Sequence, residues 1–311
     1  MLTIWRATFL RLGLVGWVCT AVPAVAQGKT PNASGENDNA IVVTGRTEPP
    51  PRREVFGQAL EVSRVDPGRM YEEALARFAT PLCPDVVGLG DDLAEEMVER
   101  IRANAARLDA PLAGERCSPN LVVAFVDDGQ SLLTDLARKH PRAFELVADS
   151  ERRELLEESA PVRVWNVVQT KWADGRPLAW RRGRQERPSV RGRVDRMFLP
   201  TRKDIEFALV AYDREAVLGM TVVQLADYAT MRGLSHTRPA SGDEPMATIL
   251  ALFEDQDRDA ADRDPAELTS FDIGYLRSVY FWRPDRSVPA VGRLLSVRRR
   301  AERAQEEALE P

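Results

Sequence analysis

The chain has few of the residues that most enzymes and metal proteins use. Its 311 residues include only two histidines, His140 and His236, and three cysteines. No G-x-S-x-G, P-loop or G-x-G-x-x-G pattern is present, so the sequence lacks the local signatures of α/β-hydrolases, P-loop nucleotidases and dinucleotide-binding enzymes. A Ser-His-Asp triad would need one of the two histidines. His140 stands before a proline at a predicted helix end, where a cation ordinarily caps the last carbonyls.

The chain also lacks an excess of positive charge and long apolar runs. Its formal net charge is -5, which argues against nucleic acid as a general partner. Beyond the first 26 residues no segment approaches the roughly 18 uninterrupted apolar residues of a membrane-spanning helix. With 44% hydrophobic and 29% charged residues, the composition is typical of a globular protein. We therefore expect no nucleic-acid partner and no transmembrane span in the mature chain.

Residues 1–26 have the pattern of a signal peptide. Arg6 and Arg11 precede the short apolar stretch Leu12–Ala26, which ends in an A-x-A-like cleavage site. The mature chain would then begin at Gln27, and the protein would be exported to the periplasm or secreted.

Residues 27–55 are polar and rich in proline, glycine and asparagine, which predicts a disordered linker. Inside this linker stands one apolar patch, formed by Ile41, Val42, Val43 and Thr44. It resembles the TonB box, the short segment after the signal peptide of TonB-dependent outer-membrane receptors. The resemblance implies an envelope protein as partner, bound by strand addition. A strand paired within this protein, or an accident of composition, are the alternatives.

Export determines how the cysteines are interpreted. Cys19 leaves with the signal peptide, so Cys83 and Cys117 remain as a pair in an oxidising compartment. Their spacing is not that of a C-x-x-C redox or metal motif. We therefore predict a disulfide between them, closing a loop of about 35 residues.

Hydrophobic periodicity predicts an α+β domain over residues 56–290, followed by a charged C-terminal helix over 291–311. The predicted strands are Leu82–Leu89, Leu121–Val126, Val162–Trp172, Val194–Leu199 and Ile205–Asp213. The predicted helices include Asp91–Leu108, Ser131–His140 and Leu268–Trp282.

The stretch from Gly219 to His236 contains the most sharply specified helix. Thr221 and Gln224 form a T-x-x-Q capping box at its start. One apolar face is predicted from Leu218, Val222, Leu225 and Ala229. Gly233 stands where a left-handed residue would end the helix.

The same helix resembles the zincin pattern H-E-x-x-H-x-x-G-x-x-H, in which two helix histidines and a third histidine bind zinc and the glutamate is the general base. The pattern aligns with Ala226, Asp227, Thr230, Gly233 and His236. The alternative is an ordinary core helix followed by a loop with a solvated His236. Farther along, T-I-L-x-L-F and L-T-x-F-D-x-x-Y-L resemble uncharacterised exported zincin-like bacterial proteins, so that the resemblance covers the chain from Arg77 onward.

This resemblance implies a mixed twisted sheet with backing helices, a central zincin-like helix and a helical C-terminal part. It also implies loss of the metal, because Ala226 and Thr230 replace both helix ligands. We therefore expect no catalytic residue, metal or cofactor, with Asp227 and His236 lining a vestigial, wet cleft. The predicted function is a non-enzymatic binding or accessory protein of the cell envelope. The alternative is a hydrolase with an atypical site using Asp227 and His236.

A basic segment follows Lys171. Nine basic and three acidic residues lie between Lys171 and Arg196, which gives an acidic protein a local positive patch. Arg181, Arg182 and Arg184 are its candidate contacts to an anionic ligand. The alternative is a long solvated connection between two strands.

Overall fold

The computed structural model describes residues 52–145, 147–181, 184–185, 199–240, 247–254, 265–281, 283–293 and 295. The predicted signal peptide, the Ile41–Thr44 patch and most of the strand predicted at Val194–Leu199 lie outside these residues. The helices are α1 (Arg52–Val62), α2 (Asp91–Arg107), α3 (Gly129–Lys139), α4 (Pro141–Phe144), α5 (Asp149–Leu156), α6 (Val222–Leu234) and α7 (Ser270–Tyr280). The strands are β1 (Ala76–Phe78), β2 (Pro84–Val87), β3 (Leu121–Val126), β4 (Val162–Trp172), β5 (Trp180–Arg181), β6 (Arg184–Gln185) and β7 (Thr201–Asp213).

The main sheet is mostly parallel, and β7 is its central strand. β3 runs parallel to the second half of β7, and β2 runs parallel to β3 on its far side. β1 runs parallel to the first half of β7, with Phe78 opposite Ile205. β4 lies antiparallel along the other side of β7 for its full length. Strands β5 and β6 form a separate two-stranded hairpin.

Helices cover both faces of this sheet. Alternate residues of β7 therefore belong to different cores: Ala208, Val210 and Tyr212 face one side, and Leu209 and Ala211 the other. The larger core contains α1, α2, α6 and α7, and the smaller one contains α3, α4 and α5. Burial on both faces explains why β3 and the second half of β7, from Phe207 to Tyr212, are continuously apolar.

The structure confirms the α+β fold class, and several elements lie where the sequence predicts them. β3 and β4 have the predicted bounds, and α2 ends one residue before the predicted end. The first helix, however, begins at Arg52, inside the stretch assigned to the linker, and Val55 is buried in the larger core. At the other end Val291 and Leu295 also belong to that core, so the packed part extends past residue 290. None of the described helices is both long and apolar enough to cross a membrane.

The predicted disulfide is present. Cys83 and Cys117 are bonded, with their Cα atoms 6.0 Å apart. Cys83 stands just before β2 and Cys117 before β3, so the bridge joins the segments that lead into the two parallel strands of a β-α-β unit whose helix is α2.

The structure confirms the start of α6 and corrects its end. Thr221 and Gln224 form the capping box in both directions. Gly233 is helical and its φ is not positive, so the predicted left-handed stop is wrong. The residue is small because a Cβ there would lie 2.6 Å from Leu121 Cδ1 of β3. Leu218 is also not part of the apolar face: it is 72% exposed and precedes the helix.

Candidate functional site

Helix α6 carries the motif positions, and it lies deep in the protein. Every residue from Gln224 to Leu234 is buried. One side of α6 packs against α2, and its C-terminal half approaches β4, where Asn166 lies within 3.4 Å of the carbonyl oxygens of Arg232 and Gly233. The side chains of this helix therefore face protein on more than one side, and each polar side chain needs a partner there.

Asp227, at the position of the zincin base, is held by three neighbours. Arg100 of α2 donates from Nε to Oδ1 at 2.8 Å and from Nη2 to Oδ2 at 2.7 Å. Asn104 donates to Oδ1 at 2.6 Å, and the backbone N–H of Leu268 donates to Oδ2 at 2.8 Å. Asp227 is 0% exposed. Its hydrogen bond to Arg100 raises the pKa of that guanidinium further above its usual range.

The two positions that zincins use for helix ligands do not fit a zinc ion. Ala226 has no donor atom, and the Thr230 hydroxyl donates to the Ala226 carbonyl at 2.8 Å while accepting from Asn104 at 3.2 Å. Both residues are 0% exposed. Across the described residues, no group of three or more His, Cys, Asp or Glu side chains is placed to hold a metal ion.

His236 lies just beyond the end of α6 and contacts α5. Its Nε2 is 2.8 Å from Glu151 Oε1. Burial lowers the pKa of His236, which favours the neutral ring; because a carboxylate can only accept, Nε2–H is the donor in this contact. The expectation of a wet cleft shared by Asp227 and His236 is therefore wrong: both are largely buried, and their polar partners belong to different parts of the fold.

Arg232 is the most unusual charge on α6, and no sequence motif pointed to it. This arginine is 3% exposed. Its Nη1 donates to the Tyr228 hydroxyl at 2.7 Å, and its Cζ lies 5.6 Å from the centre of the Tyr228 ring. Its Nε is buried and has no hydrogen-bond partner in the described part of the chain, and burial lowers the pKa of its guanidinium. The available signal was an arginine on a mostly apolar helix whose one other charged residue is Asp227.

Arg232 lines a cavity of about 420 Å³ between α5, the start of β4 and the end of α6. Its charged lining consists of Arg64, Arg153, Arg163, Arg232, Arg238, Glu154 and Glu158. The five arginines outnumber the two glutamates, so the cavity has a positive excess. Its volume is within the range of small-molecule sites, about 300–1,000 Å³.

Two carboxylates at or next to this cavity, those of Glu154 and Glu151, already have partners. Arg64 Nη2 is 2.6 Å from Glu154 Oε2, and the nearby Glu151 accepts from His236. Arg163 donates to the carbonyls of Ala160 and Glu158, both at 2.8 Å. Among the described residues, no acidic side chain forms an ion pair with Arg232.

A second cavity, of about 500 Å³, lies beside the disulfide. Its charged lining is mainly acidic, with Asp85, Glu95, Glu99 and Glu115 against Arg102. Arg102 donates to the carbonyl of Ala113 at 2.7 Å, so it already has an acceptor. This cavity therefore offers no counterpart to the buried guanidinium of Arg232.

The side chains of Arg181, Arg182 and Arg184 lie outside the described residues, as do those of the Ile41–Thr44 patch. Their predicted contacts to an anionic ligand and to an envelope protein stay predictions.

Comparisons of the chain with known protein families, with curated proteins and with solved structures found no match. The resemblance to zincins therefore rests on the sequence pattern, and the site is interpreted from its own geometry.

Proposed function

We propose that this chain is an exported, non-enzymatic binding or accessory protein of the cell envelope, built on a degenerate zincin-like fold. One observation carries the proposal: the carboxylate of Asp227 is used entirely within the fold. A general base needs a free lone pair within reach of the proton that it removes. Four hydrogen bonds from Arg100, Asn104 and Leu268 occupy this carboxylate, which is 0% exposed.

The alternative hydrolase would need Asp227 and His236 to act on one substrate. Their polar contacts argue against this arrangement, because Asp227 bonds to α2 and Leu268 while His236 bonds to Glu151 of α5. Export is supported by the Cys83–Cys117 bridge, since disulfides persist in oxidising compartments.

Elemental analysis and an activity screen test the proposal together. The protein purified from the periplasmic fraction should begin at Gln27, contain no stoichiometric zinc, and turn over no substrate in a broad peptidase and glycosidase screen. One zinc per chain that is lost in His236→Ala would overturn it. So would a turnover that disappears in folded Asp227→Asn.

A further inference from the structure

Among the described residues, no carboxylate lies within ion-pair distance of the Arg232 guanidinium, although Glu151 and Glu154 interact with it electrostatically at longer range. A charged group taken out of water is strongly disfavoured unless an opposite charge and hydrogen bonds replace the solvent. Arg232 has the Tyr228 hydroxyl and ring, which supply one hydrogen bond and a cation–π contact but no negative charge. The closer contacts of these two carboxylates are to other groups: Glu151 pairs with His236, and Glu154 pairs with Arg64.

An anion bound in the cavity beside Arg232 would supply that negative charge. Arg153 and Arg238 stand exposed at the cavity, Arg64 and Arg163 are partly or fully buried, and all four line it together with Arg232. Arginine presents a planar fork of N–H donors that matches the oxygens of carboxylate and phosphate groups. A cluster of arginines at a cavity therefore selects anions with two or more oxygens on one centre.

We propose that this cavity binds a small anion through a carboxylate or phosphate group, which forms an ion pair with Arg232. The inference rests on the proposed binding function and names its ligand class. The oxyanion reaches the inner end of the cavity, where Arg232 lies against Tyr228. Arg153 and Arg238 attract it at the entrance, where solvent weakens each contact. Glu154 competes with the ligand because it already occupies Arg64.

Titration calorimetry of the purified protein with sodium phosphate and with sodium succinate, at constant ionic strength balanced by chloride, tests the proposal. Saturable binding of either anion with one site per chain supports it. Phosphate alone identifies a phosphate-selective site, and succinate alone identifies a carboxylate-selective one. The absence of saturable binding by both anions overturns it.

Variants locate the bound anion. Arg232→Gln should weaken binding at least tenfold, as expected for loss of a charge-assisted hydrogen bond. The double variant Arg153→Ala/Arg238→Ala should weaken it about tenfold without touching a buried residue. Arg138→Ala, on α3 and 71% exposed at its side chain, is the matched control and should bind like the parent. Parent-like binding by Arg232→Gln would overturn the assignment.

The variant Glu154→Gln should change the anion affinity in the opposite direction. Removing this carboxylate frees Arg64 and lowers the negative charge at the cavity, so the anion should bind severalfold more tightly. A purely structural role for Glu154 would not strengthen binding, and weaker binding in this variant contradicts the proposal. If Arg232→Gln fails to fold, the entrance variants and Glu154→Gln decide the question. If neither anion binds, the results on zinc content and enzymatic activity still stand, so the experiments can refute the two proposals independently.

Discussion

The buried ion pair between Asp227 and Arg100 gives the sharpest stability prediction. Replacing Asp227 by Asn keeps the shape but turns one carboxylate oxygen into an N–H₂ donor. If the new donor replaces Oδ1, it faces Arg100 Nε and Asn104 Nδ2; if it replaces Oδ2, it faces Arg100 Nη2 and the N–H of Leu268. Either orientation leaves two donors without an acceptor.

The expected loss follows from the burial of the two partners. Removing one member of a buried ion pair costs about 3–5 kcal/mol. Asp227 is fully buried, but the Arg100 side chain is 28% exposed, so solvent recovers part of the loss and we expect about 3 kcal/mol for Asp227→Asn. For a domain of this size, that loss should lower the melting temperature by about 6–12 °C.

Urea unfolding at pH 7, followed by circular dichroism, measures this loss. Asp135→Asn, an exposed carboxylate that pairs with Arg138 on α3, is the control and should change the free energy of unfolding by less than about 0.5 kcal/mol. Arg100→Met should also destabilise, and the double variant should lose less than the sum because both changes remove the same pair. An Asp227→Asn variant that unfolds within about 0.5 kcal/mol of the parent would refute the reasoning.

Three further outcomes are expected. Gly233→Ala should destabilise the protein by about 1–3 kcal/mol in urea unfolding, although alanine usually favours a helix, because the new Cβ would collide with Leu121. Leu121→Val in the same chain should relieve part of this loss. Replacing both Cys83 and Cys117 by Ser should lower the free energy of unfolding by about 3–4 kcal/mol in non-reducing urea titrations, from the loop-closure entropy of a 34-residue separation. Burial depresses the pKa of His236, so the native state binds fewer protons than the unfolded state, and stability should fall as pH drops below about 6.5, with a shallower slope in His236→Gln. Equal slopes for the parent and His236→Gln between about pH 5 and 6.5 would contradict this assignment.

The local features of α6 could be predicted because they depend on neighbours in sequence. The capping box of Thr221 and Gln224 needs only residues three positions apart, and the β-α-β unit from β2 to β3 has clear periodicity. Helix α1 was missed because proline-rich residues precede it, although Val55, Ala59 and Val62 are spaced like a helix face and all three are buried.

The partners of the polar residues could not be predicted. Asp227 binds Arg100 and Asn104, which lie 127 and 123 positions earlier in the chain. Nothing in a single sequence shows which of its many arginines will meet that aspartate. The need for glycine at position 233 could not be predicted for the same reason, because an added Cβ would collide with Leu121 of a strand more than a hundred residues away. The motif pattern therefore located the helix but gave the wrong reason for its glycine and the wrong surroundings for its acid.

Asp227 and Arg232, two buried charges five positions apart on α6, lead to opposite expectations for the stability of their variants. The charge of Asp227 is neutralised inside the fold, whereas the charge of Arg232 has no acidic side chain within ion-pair distance among the described residues. Without ligand, Arg232→Met should therefore unfold within about 1 kcal/mol of the parent or be more stable, since replacing a poorly paired buried charge by an apolar side chain of similar length removes a desolvation penalty. The Tyr228 hydroxyl loses one donor in this variant, which limits the gain. Urea unfolding in chloride buffer measures the effect. A loss comparable to that of Asp227→Asn would mean that Arg232 supports the fold and not a ligand. A residue kept for binding is often destabilising, so its replacement should not lower the free energy of unfolding by that much.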